Sequence, residues 1–153
     1  MRKLFGFPTI VISILLSVLS AFFGWNLPIA LKGLVDTASF ICVMGSVLGG
    51  CLVAYGSEWG AAFKPRPNRE EAAIAVGVYK LAVRISIGAG LFGTMFGWIA
   101  MLRSMGGGWG DDMGAVYGGL AVSLITTLYG LVFAFTLFLP LQYYFQHQLD
   151  KDS

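Results

Sequence analysis

Four apolar runs, each close to the length of a membrane crossing, constrain this chain more than any other feature. They fall at about residues 5–25, 37–56, 84–104 and 117–140, and a helix needs roughly 20 such residues to cross the hydrocarbon core. Lipid offers no water to satisfy peptide groups, so a run of this kind folds as a helix. The fold class read from the sequence is therefore all-α: one polytopic membrane domain over residues 1–153 with four transmembrane helices and a link at about 57–83. Composition agrees, because 57% hydrophobic and 12% charged residues lie far outside the range of soluble domains. A net charge of +2, with the basic residues dispersed, gives no reason to expect nucleic acid.

The ends of the runs set the boundaries. The first run follows Arg2 and Lys3 as a secretory signal would, but it is longer than a signal's apolar core and ends in Phe22, Phe23 and Trp25 instead of small residues; a retained helix is expected. The second run contains Gly45 and Gly49, a small-xxx-small pair that lets one helix pack tightly on another. Lys64-Pro65-Arg66-Pro67 stops it. Asn68 followed by Glu71 reads as a capping box, and nothing breaks the pattern from Arg69 to Ser104. Such a helix would be roughly 54 Å long at 1.5 Å per residue, against a hydrocarbon core of roughly 30 Å. Its first turns should stand in the aqueous phase. Met105–Gly110 is a flexible connector, and the fourth helix should run from about Met113 towards Leu149, again longer than the bilayer, with Pro140 marking a bend.

Four spans put both termini on one side. Arg2, Lys3, Lys64, Arg66, Arg69, Lys80, Arg84 and Lys151 lie on that side, against Lys32 and Arg103 on the other. The bias makes the termini and the central link cytoplasmic, in a bacterial inner membrane, with the third and fourth helices extended into the cytoplasm.

The chemistry is concentrated in two runs. Ser123, Thr126 and Thr127 stand close together in the fourth, where Ser123, Thr127, Gly130 and Ala134 form one small-residue face. Gly90, Gly93, Thr94 and Gly97 give the third run a similar face. All eight acidic residues fall outside the expected hydrocarbon cores. A cation pathway needs a titrating group within the membrane, so if this chain conducts, another chain must supply the carboxylate and these hydroxyls line the route. The plainer alternative is that the hydroxyls bond their own helix carbonyls and the glycines only pack. Cys42 and Cys51 sit in one apolar run and imply neither disulfide nor metal site. No nucleophile–base pair, metal spacing or phosphate loop is present, so no catalytic site and no cofactor are expected.

Two segments carry a family resemblance. Ile87–Met101, IGAGLFGTMFGWIAM, and Gly119–Pro140, GLAVSLITTLYGLVFAFTLFLP, closely resemble the third and fourth helices of the MotA/TolQ/ExbB proton-channel family. Leu34–Gly56 resembles the earlier MotA helices more weakly. The resemblance implies an ion-conducting stator subunit: a homopentamer around a dimer of a single-span MotB/TolR/ExbD-like partner whose aspartate takes and releases the ion. Carried over by motif, Thr94 and Thr127 match the threonines of the third and fourth helices. Thr126 matches the extra threonine of sodium-type members, so H+ and Na+ both stand as the transported ion. Pro140 matches the proline near the inner end of the MotA fourth helix. The chain also departs from the pattern. Ile87 replaces a usual proline, Val122 replaces the ExbB glutamate, and a short link stands where MotA has a large cytoplasmic domain that engages a flagellar rotor. The expected function is a minimal ion-driven motor subunit acting through its partner. The alternative is a non-conducting membrane scaffold.

Overall fold

A computed structural model describes residues 13, 35–64, 67–105 and 113–151, and every element among them is helical. Helix α1, Thr37–Tyr55, passes into a 3-10 segment, Gly56–Phe63. Helix α2 is Arg69–Ser104. Helix α3, Met113–Val132, widens into a π-helical turn, Phe133–Phe138, and continues as α4, Leu139–Lys151. These are the second, third and fourth apolar runs. Apart from Ser13, the expected first helix at 5–25 lies outside the described residues, as do the connector at 106–110 and Asp111 and Asp112. Three stretches, Thr37–Phe63, Arg69–Ser104 and Val116–Lys151, are long and apolar enough to cross a membrane.

Local chemistry explains where these helices begin and change. The Asp36 carboxylate accepts the Ser39 N–H at 2.8 Å, which satisfies one of the donors left over at the start of α1. Gly56 ends that helix at φ +54°, returning its N–H to the Leu52 carbonyl; only glycine takes this backbone readily. At α2 the capping box is present in both directions: Asn68 Oδ1 accepts the Glu71 N–H at 2.8 Å, and Glu71 Oε2 accepts the Asn68 N–H at 3.0 Å. Lys64 pairs with the same carboxylate. Downstream, Pro140 has no N–H to give, and its ring would collide with the carbonyl of Thr136 in a regular α-helix. The turn just upstream is wider, with Leu139 N–H reaching back to Ala134, and this spacing relieves the collision. Pro140 itself lies within α4, so the helix continues through it.

Helix α2 is the centre of the bundle and meets α1, α3 and α4. Near the 3-10 segment the core is apolar: Val47, Cys51, Ala62, Ala75, Val78, Tyr79, Ala82, Phe138 and Phe145 pack as one cluster. The Tyr79 hydroxyl donates to the Ala62 carbonyl at 2.7 Å, and its ring stacks on Phe145 at 5.6 Å. At the other end of α1, Phe40 meets Tyr129 and Phe133 edge to face. Between these clusters the contacts are made by small and hydroxylated residues, while Leu91, Phe92, Met95, Phe96, Trp98 and Ile99 point outward. Large apolar side chains outside and small ones inside would aggregate in water; in lipid this is how helices associate.

Candidate functional site

The site is the crossing of α2 and α3. A Cβ on Gly90 would lie 3.1 Å from Gly130 Cα and from the Thr126 carbonyl, and one on Gly130 would lie 2.5 Å from the Ser86 carbonyl. Equivalent atoms on Gly93 and Gly97 would meet Thr126 Cγ2 and Ser123 Cβ, each at 2.6 Å. The two helices therefore touch backbone to backbone, which only glycine permits. The antiparallel register places Gly97 beside Ser123, Thr94 beside Ser123 and Thr127, and Ser86 beside Gly130.

This close approach lets hydroxyls cross from one helix to the other. Thr94 Oγ1 lies 2.7 Å from the Ser123 carbonyl, 3.1 Å from its own i−4 carbonyl at Gly90 and 2.5 Å from Thr127 Oγ1. Thr127 Oγ1 is also 3.3 Å from the Gly90 carbonyl. A hydroxyl has one proton and two lone pairs. The arrangement that uses the shortest contacts has Thr94 donating to Ser123 and Thr127 donating to Thr94. Thr127 then keeps acceptor capacity, and it is only partly buried, whereas Thr94 is 8% exposed. Ser123 turns its hydroxyl back to the Leu120 carbonyl at 2.8 Å, and Ser86 donates across the crossing to Gly130 at 2.9 Å.

Adjacent Thr126 serves a different contact. It is buried where α1, α2 and α3 meet, with Oγ1 2.7 Å from Ser39 Oγ. The structure thus brings Thr94, Thr127 and Ser123 together and places Thr126 on the α1 side. Gly90, Gly93, Gly97 and Gly130 all lie in the α2–α3 contact. Gly45 and Gly49 do not: among the described residues nothing approaches within 4 Å of their Cβ positions. The face that α1 buries is Ser39, Val43, Val47 and Cys51, so a packing role for Gly45 and Gly49 requires a helix outside the described residues. Ser39 escaped the sequence reading, although its spacing of four from Val43, Val47 and Cys51 marks that face.

None of the hydroxyls of Thr94, Ser123, Thr126 and Thr127 is bonded to an ionisable side chain in the described residues. No group of three or more His, Cys, Asp or Glu capable of holding a metal occurs there either. The crossing can offer oxygens and relay hydrogen bonds, and it has no group of its own that takes up charge. Long apolar helices joined by glycines, with a hydroxyl pair at their crossing, define a helical membrane protein. Residues 67–153, more than half of the chain, match the MotA/TolQ/ExbB proton channel family, and the chain belongs to that family. Its members are channel and transport proteins. No curated protein matches the chain. The matched segment contains α2, α3 and α4, and with them the Thr94–Thr127 pair; Ser39 lies outside it.

Proposed function

We propose that this chain is the ion-conducting subunit of a stator driven by ion-motive force. Five copies surround two copies of a single-span MotB/TolR/ExbD-like partner, and the partner's aspartate is the group that titrates. Each copy crosses a bacterial inner membrane four times with both termini in the cytoplasm, where the ends of α2 and α4 extend beyond the lipid. The observation that carries this reading is the partly open Thr94–Thr127 hydroxyl pair, with its spare acceptor capacity, bonded to no ionisable side chain among the described residues. A site that can guide a charge and cannot hold one suits a carboxylate supplied from outside. One elementary charge crossing 100 mV releases about 2.3 kcal/mol, so several ions must pass for each sizeable movement of the partner. The short link between α1 and α2 leaves little surface for a cytoplasmic rotor, and the output is passed through the partner to the periplasm.

The expected result for Thr127→Val is loss of ion-coupled activity with the complex still assembled, measured as ion uptake into liposomes alongside particle size. Full uptake by that variant would remove the role. The scaffold alternative has one observation on its side: every buried side-chain N or O atom among the described residues already has a hydrogen-bond partner. It predicts that Thr127→Val weakens the oligomer and leaves no uptake to lose.

A further inference from the structure

We propose that Lys80, Arg84 and Gly88 form a seat on α2 for one anionic phospholipid, whose phosphate the two cations hold and whose glycerol backbone fills the gap at the glycine. The inference needs only that α2 crosses a membrane, and it is independent of the conduction reading. At about 100° per residue, Lys80, Arg84, Gly88, Leu91 and Met95 fall within about 80° of one another around the helix. All five are exposed. Along this face the chemistry changes in the order that a lipid does. Lys80 and Arg84 are charged; Gly88 has nothing within 4 Å of its Cβ position among the described residues; Leu91 and Met95 are apolar and 53% and 63% exposed. Arg84 stands about 6 Å along the axis from Gly88, and Lys80 about 6 Å further. The polar layer on each side of the hydrocarbon is roughly 5–7 Å deep. Helical side chains lean towards the N-terminus, here away from the apolar half of the face, so both cations reach for that layer.

The pair has no other partner among the described residues. No residue three or four positions from either on α2 is acidic. Glu71 is paired with Lys64, and Asp150 of α4 shares a cleft with Arg69, Glu70 and Ala73 at the start of α2. Neither Lys80 nor Arg84 takes part in an ion pair there. Two like charges one turn apart repel, and an anion held between them removes that cost. Phosphate suits the pair, since the arginine fork takes two of its oxygens and lysine adds a point charge. A soluble anion would gain from the charges alone. The open glycine and the apolar positions beyond it favour an anion that carries acyl chains, and anionic headgroups draw lysine and arginine at a membrane surface.

The test uses the detergent-purified complex of the full chain, stripped of lipid and titrated with phosphatidylglycerol or phosphatidylcholine of the same acyl chains. Retained lipid is counted by native mass spectrometry. The wild type should retain phosphatidylglycerol over phosphatidylcholine by roughly tenfold, from two charges at a lipid surface. Lys80→Gln with Arg84→Gln should remove that preference, and Lys80→Arg should keep it. Gly88→Leu leaves both charges in place and should lower phosphatidylglycerol retention severalfold by filling the gap. The single variants Lys80→Gln and Arg84→Gln, each expected to lose about threefold, test the same point when the double one cannot be purified. The proposal is overturned by a wild type without the preference, by an unchanged preference in the double variant, or by unchanged retention in Gly88→Leu. Displacement of phosphatidylglycerol by inorganic phosphate would reduce the seat to an anion site and overturn it too. So would dissociation of the oligomer in the double variant, which would put a second copy of the chain on this face.

Discussion

Single residues at the α2–α3 crossing have opposite consequences depending on which face they occupy. Thr126 and Thr127 are neighbours in sequence and about 100° apart around the helix, so one bonds to α1 and the other to α2. Their shared chemistry says nothing about which does which. The glycines divide in the same way. Gly90→Ala would push a methyl against backbone atoms of α3 at 3.1 Å, and backbone cannot step aside as a flexible side chain can. The expected cost is about 1–3 kcal/mol, read as a lower unfolding midpoint in detergent. Gly45→Ala meets open space among the described residues. It should leave the fold intact and gain up to about 1 kcal/mol from helix propensity, so a large loss there would show that a helix outside the described residues covers that face.

At the scale of an element, the start of α2 depends on a few polar contacts, which the proposed orientation places in water. Asn68→Ala removes the acceptor for the Glu71 N–H and should cost about 1 kcal/mol, seen as faster amide exchange over the first turn of α2. The Lys64 ammonium, and after it the Asn68 N–H, hold the Glu71 carboxyl below its ordinary value of 4.5. A lowered folded-state pKa means that this contact stabilises the native state above the ordinary value and is lost as pH falls through the lowered one. Fraying of the same turn is therefore expected on acidification below the ordinary carboxylate range. Glu71→Gln should remove that pH dependence. The π turn before Pro140 is a different kind of element. Proline in the sequence predicts a disturbance at that point, but whether it becomes a bend or a wider turn depends on what the flanking residues pack against, and Ala134 and Phe138 are both buried.

For the whole molecule, the membrane sets the arrangement. The outward face of α2 carries the large apolar side chains, and the contacts between helices carry the small ones, which is stable only if lipid surrounds the bundle. The proposed orientation follows from the excess of lysine and arginine on the terminal side. A single cysteine introduced as Gln148→Cys, in a chain whose Cys42 and Cys51 are changed to alanine, should react with a membrane-impermeant maleimide in inside-out vesicles and not in intact cells. Labelling of intact cells would reverse the orientation and place the ends of α2 and α4 outside.

What the sequence by itself determined is what depends on local or one-dimensional physics. Helices over about 37–56, 69–104 and from about 113 onward follow from hydropathy, from the capping box at Asn68 and from the absence of breakers between Arg69 and Ser104. The small faces carrying Gly90, Thr94, Thr127 and Gly130 follow from helical spacing. The tertiary structure decided which faces meet. It turned α1 inward through Ser39, Val43, Val47 and Cys51 and left Gly45 and Gly49 without a neighbour among the described residues, and it sent Thr126 to Ser39 across 87 residues of chain. A small-residue stripe states that a helix can approach another closely. Which stripe is used, and which hydroxyl finds which partner, depends on all the helices packing at once.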